Sequence, residues 1–199
     1  MNKYFPKTKN MNKLKITDEG LYSVSKPKVS EEIINYILLK TDKKNITILD
    51  ATGNVGGDSI TFGLSNKVKK VITTELNPEN FKCLMNNIKV YKLEKKIEIY
   101  NVDFIKFYKI LKKKVDVIYI DPPWGGPDYK KKSKINLFLS NISIGKIVND
   151  IIKQKVTDNI FIKIPFNFNI TKFLFETGLK NLDLYSISNS SVYIIYLKL

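Results

Sequence analysis

Strand-length apolar runs alternate with helix-length amphipathic stretches along most of this chain, and this alternation limits the possible folds more than any other feature. The strand-like runs lie at 45–52, 70–76, 96–101, 115–120 and 158–164, and the helix-like stretches at 25–40, 56–65, 77–93, 104–113 and 170–178. Such an alternation predicts a doubly wound, mostly parallel α/β sheet, because each helix carries the chain back to begin the next parallel strand.

The C-terminal end departs from this alternation. Residues 182–188 and 191–199 are both rich in apolar and aromatic residues, and the polar turn "NSS" joins them. Two adjacent strand patterns with a short polar turn predict an antiparallel hairpin, which brings the sheet to seven strands.

The N-terminal end departs from it as well. Residues 1 to 20 are polar and basic, so we predict an arm or a loosely packed lead-in. Ser30 is the candidate N-cap of the helix that follows. We therefore expect an N-terminal basic and helical extension of residues 1–30 that contributes to the substrate pocket, and a main domain of residues 31–199.

The charge of the chain favours a polyanionic partner. The net charge is +15 and every basic residue is a lysine. This excess fits nucleic acid better than a neutral metabolite, although coding bias toward Lys, Asn and Ile gives the same composition. With no histidine and only Cys83, zinc sites, histidine triads and disulfide frameworks are excluded. No apolar run reaches membrane-spanning length, so we expect an intracellular protein, cytoplasmic or nuclear, and a monomer.

A glycine-rich turn follows the first strand. The stretch "LDATGNVGGDSI" places Asp50 at the strand end and three glycines before a helix. Its spacing matches neither G-x-G-x-x-G nor the phosphate-binding G-x-x-x-x-G-K-[ST], which disfavours nicotinamide and nucleotide-phosphate sites. A nucleoside with a charged amino-acid tail, S-adenosylmethionine, suits such a loop better. Asp50 would hold the methionyl part, directly or through water.

Two further acids follow the next two strands. Glu75 lies 25 residues after Asp50, where an acid that binds ribose hydroxyls is expected, and Asp103 can accept a hydrogen bond from the adenine amine. Each acid alone is commonly a helix cap or a surface charge. Three acids at three successive strand ends, together with the glycine turn, are more specific.

The stretch "DPPWGGPDY" follows the run "VDVIYI" and contains the only tryptophan of the chain. An exocyclic amine is a poor nucleophile because its lone pair is delocalised into the ring. Asp121 and the Pro122 carbonyl would accept hydrogen bonds from the amine and favour the charge that develops during methyl transfer. Trp124 would stack on the base that carries the amine. We expect this loop and the glycine turn to face one crevice.

Together these motifs resemble the trimethylguanosine synthase family, RNA cap guanine methyltransferases of the class I S-adenosylmethionine-dependent fold. "PPWGGPDY" matches the family's S-P-P-W-G-G-P-D-Y apart from the first residue, and "DATGNVGG" resembles D-A-F-C-G-V-G-G. "DEGLYSV" and "NIFIKIPFN" resemble two further segments of the family. The similarity covers most of the chain.

The resemblance implies transfer of one or two methyl groups to the 2-amino group of a 7-methylguanosine RNA cap. Trp124 would then stack on the cationic base, while Tyr129 and the lysines of "YKKKSK" would approach the phosphates. The candidate cofactor residues are Asp50, Ala51, Gly53, Asn54, Gly56, Gly57, Glu75, Leu76, Asp103 and Phe104. The candidate substrate residues are Ser23, Ser25, Trp124, Asp128, Tyr129, Lys130, Lys163 and Asn167, with Asp121, Pro122 and Trp124 catalytic. We expect no metal.

Two departures from the family leave alternatives open. Asp121 stands where the family has Ser, which gives "DPPW", the tetrad typical of adenine amino methyltransferases. Phe166 occupies the family's late Arg position, so a bidentate phosphate contact is lost, and Lys163 is the candidate to compensate. The alternatives are methylation of adenine or of an internal guanine in RNA or DNA, and an inactive module that binds caps or RNA.

Overall fold

The computed structural model describes residues 1–111 and 114–199, and the predicted α/β architecture is confirmed there. Its helices are α1 (Asp18–Ser23), α2 (Pro27–Thr41), α3 (Gly57–Leu64), α4 (Pro78–Val90), α5 (Phe104–Phe107), α6 (Ile144–Gln154) and α7 (Ile170–Thr177). Its strands are β1 (Ile46–Asp50), β2 (Val68–Thr74), β3 (Ile97–Tyr100), β4 (Val117–Ile120), β5 (Phe138–Leu139), β6 (Ile142–Ser143), β7 (Asn159–Pro165), β8 (Asp183–Ser186) and β9 (Val192–Lys198).

Seven of the described strands form one sheet in the order β3-β2-β1-β4-β7-β9-β8. The pairs β1–β2, β2–β3 and β4–β7 are parallel, whereas β7–β9 and β8–β9 are antiparallel. The mostly parallel sheet with its terminal antiparallel hairpin is therefore as predicted. No helix of the described residues is both long and apolar enough to cross a membrane.

The chain forms two compact units, residues 1–104 and 105–199. In the first unit, β1 is buried along nearly its whole length, because a parallel strand covered by helices needs apolar side chains on both faces. In the second unit, every residue of β4 and β7 is buried, including Lys163. The loops that follow β1 and β4 are thus each attached to a largely buried strand.

The first twenty residues are packed rather than loose, which corrects the expectation of a loosely packed lead-in. Phe5 is fully buried and Leu14 nearly so. The Lys15 backbone N–H donates to Asn87 Oδ1 at 2.8 Å, and Asn87 Nδ2 returns a bond to the Lys15 carbonyl at 2.7 Å. Two apolar anchors in a basic segment are too few to produce a periodic pattern, so the sequence alone did not indicate this docking.

Tyr91 provides a further anchor for this segment, because its hydroxyl donates to the Pro6 carbonyl. Burial raises the pKa of Tyr91 to about 12 from its ordinary 10.0. The folded state therefore holds the phenolic proton more tightly than the unfolded chain does, so this stabilisation is complete below pH 10 and is lost between pH 10 and 12.

We expect Tyr91→Phe to lower the free energy of unfolding by roughly 0.5–1.5 kcal/mol at pH 8, where the lost hydrogen bond is the only difference. Between pH 10 and 12 the wild type should lose stability relative to the variant, so that plots of the free energy of unfolding against pH converge and cross. Denaturant unfolding of both proteins across this pH range measures the effect, because the difference between them isolates the Tyr91 hydroxyl. Tyr22→Phe alters a 60% exposed tyrosine and should follow the wild-type curve.

Ser30 is not a helix cap, so that prediction is wrong. Helix α2 begins earlier, with Lys26 at the N-cap position and Pro27 in the first turn, where a proline needs no N–H partner. Ser30 is fully buried, and its hydroxyl donates to Asp58 Oδ1 at 2.5 Å. The serine thus fixes α2 to α3 instead of opening a helix.

The helix expected at 104–113 is shorter than predicted. Helix α5 makes one turn, a 3-10 turn follows at Tyr108–Ile110, and Leu111 is extended. Tyr108 is buried and its hydroxyl donates to Asp150 Oδ2 at 2.6 Å, which holds the segment in place. Residues 112 and 113 of the prediction lie outside the described residues.

Candidate active site

The glycine-rich turn of residues 50–57 links β1 to α3 in the first unit. Asp50 is 1% exposed, and its two carboxylate oxygens accept bonds from Ser59 Oγ at 2.5 Å and from the Thr52 N–H at 3.2 Å. Ala51 is also buried, and its carbonyl accepts from Thr74 Oγ1 at 2.8 Å. Asp50 therefore fixes the shape of the turn; its contact with the methionyl part of a cofactor stays a prediction.

Gly53 brings the turn against the end of β2. Its N–H donates to the Thr74 carbonyl at 2.8 Å. A Cβ at this position would lie 2.3 Å from Thr73 Oγ1 and 3.1 Å from Leu84 Cδ2. A residue with a Cβ could not pack against β2 this closely without a shift of its neighbours, so glycine is needed here. The next two candidate glycines complete the turn: Gly56 donates to the Gly53 carbonyl at 2.9 Å, and Gly57 begins α3.

Glu75, directly after β2, closes the turn on its other side. Its Oε2 accepts from the Asn54 N–H and its Oε1 from the Asn77 N–H, both at 2.7 Å. Burial is the largest influence on this carboxyl and raises its pKa above the ordinary 4.5. Leu76 beside it is 61% exposed, an apolar surface next to a carboxylate. Asn101, which the sequence did not indicate, donates to the backbone carbonyls of both residues.

Helix α1 is tied to this turn through Ser23. Asn54 Nδ2 donates to Ser23 Oγ at 2.7 Å, and Ser23 Oγ donates to the Glu19 carbonyl at 2.6 Å. Glu19, another residue that the sequence analysis did not single out, accepts bonds from Asn77 Nδ2 and Asn80 Nδ2 at 3.1 and 3.0 Å. The predicted substrate residue Ser23 is thus bonded to the predicted cofactor residue Asn54, whose N–H donates to Glu75.

Three other predicted residues of the first unit are more enclosed. Ser25 is buried and donates to Asp58 Oδ2 at 2.7 Å, so it fixes the start of α2. Asp103 is half-buried after β3, and Phe104 is 4% exposed. The Phe104 ring belongs to the core, so any contact of this residue with adenine would involve its backbone.

The loop "DPPWGGPDY" follows β4 in the second unit and carries a buried ion pair. Asp121 Oδ2 lies 2.7 Å from Lys163 Nζ, and the two side chains are only 16% and 6% exposed. The same Nζ lies 5.5 Å from the centroid of the Trp124 ring. Pro122, which follows Asp121, is buried, and Trp124 is half-buried. Lys163, proposed from sequence as a phosphate contact, is therefore the partner of Asp121 in this structure.

Gly125 and Gly126 turn the loop sharply. Their φ angles are +89° and +76°, and nothing among the described residues lies within 4 Å of a Cβ built on either. Glycine is thus needed here for backbone conformation and not for space. The turn brings Tyr129 edge-on to Trp124, with ring centroids 5.1 Å apart at 82°.

Asn167 holds the far end of this loop. Its Nδ2 donates to the Tyr129 and Lys132 carbonyls at 2.8 and 2.7 Å. Its Oδ1 is buried, as is Trp124 Nε1, and neither atom has a hydrogen-bond partner among the described residues. Asp128 and Lys130 are exposed; Asp128 pairs with Lys131 at 2.6 Å, and Lys130 Nζ lies 5.9 Å from the Tyr129 ring.

The structure thus collects the predicted residues into two sets, one in each unit. In the first, Asn54 is hydrogen-bonded to both Ser23 and Glu75. In the second, Lys163 pairs with Asp121 and lies 5.5 Å from the Trp124 ring centroid. That both sets face one crevice stays a prediction. Within the described residues, no group of three or more Cys, Asp or Glu side chains is arranged to hold a metal ion.

Two sequence relatives match most of this chain. Protein L320 of Acanthamoeba polyphaga mimivirus, which is uncharacterized, is 22% identical over 93% of this chain and 80% of its own length. The trimethylguanosine synthase of Saccharomyces cerevisiae is 25% identical over 79% of this chain and 50% of its own length. The chain therefore spans about half the length of the yeast enzyme.

Solved structures share the fold at low sequence identity. A human methyltransferase 10 domain containing protein has a TM-score of 0.65 at 12% identity, over 93% of this chain and 89% of that one. A putative methyltransferase from Streptococcus mutans in complex with SAH has a TM-score of 0.54 at 12% identity, over 81% and 96%. The fold is that of the class I methyltransferases. Residues 45–195 match the profile of a family described as RNA cap guanine-N2 methyltransferase, and the chain belongs to that family.

Proposed function

We propose that this protein transfers methyl groups from S-adenosylmethionine to the exocyclic 2-amino group of a 7-methylguanosine RNA cap. The observation that carries the proposal is the loop after β4, where a carboxylate, a proline carbonyl and a half-buried tryptophan follow one another in a chain of this family. Carboxylate and carbonyl accept hydrogen bonds from an amine, and the indole face stacks on the ring that carries it.

The first unit fits S-adenosylmethionine. Gly53 holds the turn close against β2 beside Glu75, and the Glu75 oxygens retain lone pairs beyond their two backbone bonds. Glu75 would bind the ribose hydroxyls and Asp103 the adenine amine, while Leu76 would cover the adenine ring. When bound, S-adenosylmethionine supplies an electrophilic methyl group.

The second unit would act on the acceptor. Asp121 and the Pro122 carbonyl would orient the amine hydrogens, so that the nitrogen becomes pyramidal and its lone pair is available for attack. Trp124 would favour a 7-methylated ring, because that ring is cationic. The lysines at 130, 131, 132 and 134 would attract the phosphate bridge and the following RNA.

The raised pKa of Glu75 makes cofactor binding sensitive to pH. Only the ionised carboxylate of Glu75 can accept hydrogen bonds from ribose hydroxyls as well as from the Asn54 and Asn77 N–H groups. Burial raises the pKa of Glu75 above 4.5, so the affinity for the cofactor should fall as the pH falls through that pKa. We expect Glu75→Gln to bind S-adenosylhomocysteine at least tenfold more weakly at pH 8, because the amide NH₂ would face one of these N–H groups. Titration calorimetry from pH 5 to 8 measures both effects.

The exposed Glu79 of α4 provides the matched control. Glu79→Gln should retain the affinity and pH dependence of the wild type. Equal affinity of wild type and Glu75→Gln at pH 8 would remove Glu75 from the cofactor site.

Small acceptors test the proposed substrate directly. The protein would be incubated with labelled S-adenosylmethionine and 7-methylguanosine triphosphate, guanosine triphosphate or adenosine triphosphate. The proposal predicts label on the first alone, and the product mass counts the methyl groups. Binding of S-adenosylmethionine without transfer to these acceptors or to longer capped RNA would indicate a cap- or RNA-binding module.

A second candidate function is methylation of the 6-amino group of adenine. The observation that favours it is the carboxylate of Asp121, because the tetrad that it begins, "DPPW", is typical of adenine amino methyltransferases. Label on adenosine triphosphate, or on adenines of longer RNA or DNA, would make this the activity and exclude the cap.

A further inference from the structure

Asp121, Trp124 and Lys163 form a compact set that we call the charge cluster. The Lys163 ammonium lies 2.7 Å from the Asp121 carboxylate and 5.5 Å from the Trp124 ring centroid. Both charged side chains are largely removed from water, at 6% and 16% exposure. Their interaction with a neighbouring ligand is therefore screened less than that of surface charges.

The position of Lys163 bears on how Trp124 can recognise a base. An indole face attracts cations through its quadrupole, and Lys163 already provides a cation within the range of that attraction. The paired carboxylate offsets the lysine charge, so the pair presents no net charge beside the ring. A site whose tryptophan lay beside a carboxylate without the lysine would favour a cationic base more strongly.

We propose that Lys163 is a specificity-determining residue that acts through Asp121 and Trp124. Its ammonium balances the Asp121 carboxylate beside the indole and so sets how strongly the site prefers a cationic base to a neutral one. The proposal rests on the function proposed above, since it concerns the base that stacks on Trp124. It replaces the sequence-based expectation that Lys163 compensates for a lost phosphate contact.

A series of variants changes the net charge of the pair in unit steps. Lys163→Met leaves a net charge of −1, the wild type and the double variant Asp121→Asn/Lys163→Met have zero, and Asp121→Asn has +1. Preference for the cationic base should follow this order, from strongest to weakest. Each step should change the preference roughly tenfold, the size expected for a buried unit charge near a ligand at an effective dielectric constant of about 20.

The chain supplies its own reporter, because Trp124 is its only tryptophan. Quenching of its fluorescence would give dissociation constants for 7-methylguanosine triphosphate and guanosine triphosphate, at a mildly acidic pH where the 7-methylated ring keeps its positive charge. The two ligands differ only in the methyl group and the ring charge, so phosphate contacts cancel in the ratio of the two constants. This ratio requires neither cofactor nor turnover.

Controls separate the charge effect from folding. Lys163→Arg keeps the charge and should keep the wild-type ratio. Lys70→Met removes a lysine from an ion pair of similar length, with Glu98 at 2.6 Å, whose side chains are 38% and 46% exposed. Water screens that charge, so the ratio should change by less than twofold. Lys163→Met leaves the Asp121 carboxylate buried without its lysine, which destabilises the fold. The double variant Asp121→Asn/Lys163→Met has no buried charge at this site, so it shows whether a changed ratio comes from charge or from loss of folding.

The outcomes are distinct. A ratio that rises in Lys163→Met, falls in Asp121→Asn and returns to the wild-type value in the double variant supports the assignment. If both nucleotides bound and the ratio of their dissociation constants were the same in every variant, the role assigned to Lys163 would be overturned while the proposed cap substrate would stand. Failure of the wild type to bind either nucleotide, with S-adenosylhomocysteine still bound, would overturn the proposed cap substrate and the assignment together.

Discussion

Replacement of Trp124 by alanine should lower kcat/KM for a 7-methylguanosine cap by roughly 100- to 5000-fold. A base stacked on an aromatic face contributes about 1–3 kcal/mol, and a desolvated cationic ring adds about 2 kcal/mol. Trp124 is half-buried in a loop, so the sheet should remain folded. The measurement is steady-state methyl transfer to 7-methylguanosine triphosphate, with S-adenosylhomocysteine affinity determined on the same preparation.

Two variants make the result specific to stacking. Trp124→Phe keeps an aromatic face and should recover a large part of the lost activity. Phe138→Ala removes a 42% exposed aromatic residue from β5 and should have little effect. If Trp124→Ala retained activity within threefold of the wild type while it bound cofactor normally, the base would have to be held elsewhere.

Gly53→Ala should abolish measurable cofactor binding, the second large effect that we expect. The added Cβ would lie 2.3 Å from Thr73 Oγ1, far inside contact distance, and 3.5 Å from the Thr74 carbonyl. Relief requires either a rotation of the buried Thr73 side chain or a movement of the turn away from β2, and the movement would break the bond from the Gly53 N–H to that carbonyl. Overpacking of this kind costs about 1–3 kcal/mol of stability as well. Calorimetry with S-adenosylhomocysteine and thermal unfolding measure the two consequences.

A second substitution tests the cause. Thr73→Ala removes the oxygen with which the new Cβ collides. Because Thr73 Oγ1 has no hydrogen-bond partner among the described residues, loss of this hydroxyl should lower the stability of the fold only slightly. The double variant Gly53→Ala/Thr73→Ala should therefore bind cofactor better than Gly53→Ala alone. If the single and the double variant had equal cofactor affinity, a cause other than the collision with Thr73 would have to explain the loss of binding in Gly53→Ala.

Local patterns were sufficient to predict most of the sheet. Strands β1, β4 and β7 are largely apolar runs followed by turn residues, and β8 and β9 are joined by a short polar turn, as their sequences indicated. Helix α6 was missed although its signal was present: Ile144, Ile147, Val148 and Ile151 recur at helical spacing, and all are buried. The short hairpin β5–β6 has two residues in each strand, too few to show a period.

Contacts between distant residues could not be predicted in the same way. Asp121 and Lys163 are 42 positions apart, and Tyr91 and Pro6 are 85 apart. The sequence indicated that Asp121 departs from the family's serine, but only the fold shows that a lysine within an otherwise apolar strand neutralises it. Ser30 was misjudged for a related reason, because its partner, Asp58, lies on another helix.

The central claim is that the acceptor is the 2-amino group of the cap guanine. A short RNA with a 7-methylguanosine cap, one internal guanine and several adenines offers all the candidate amines in one molecule. After reaction with S-adenosylmethionine, digestion to nucleosides and mass spectrometry would identify the methylated base. The account predicts new methyl groups on the cap guanine alone, at its 2-amino nitrogen; methylation of adenine or of the internal guanine, with the cap unchanged, would contradict it.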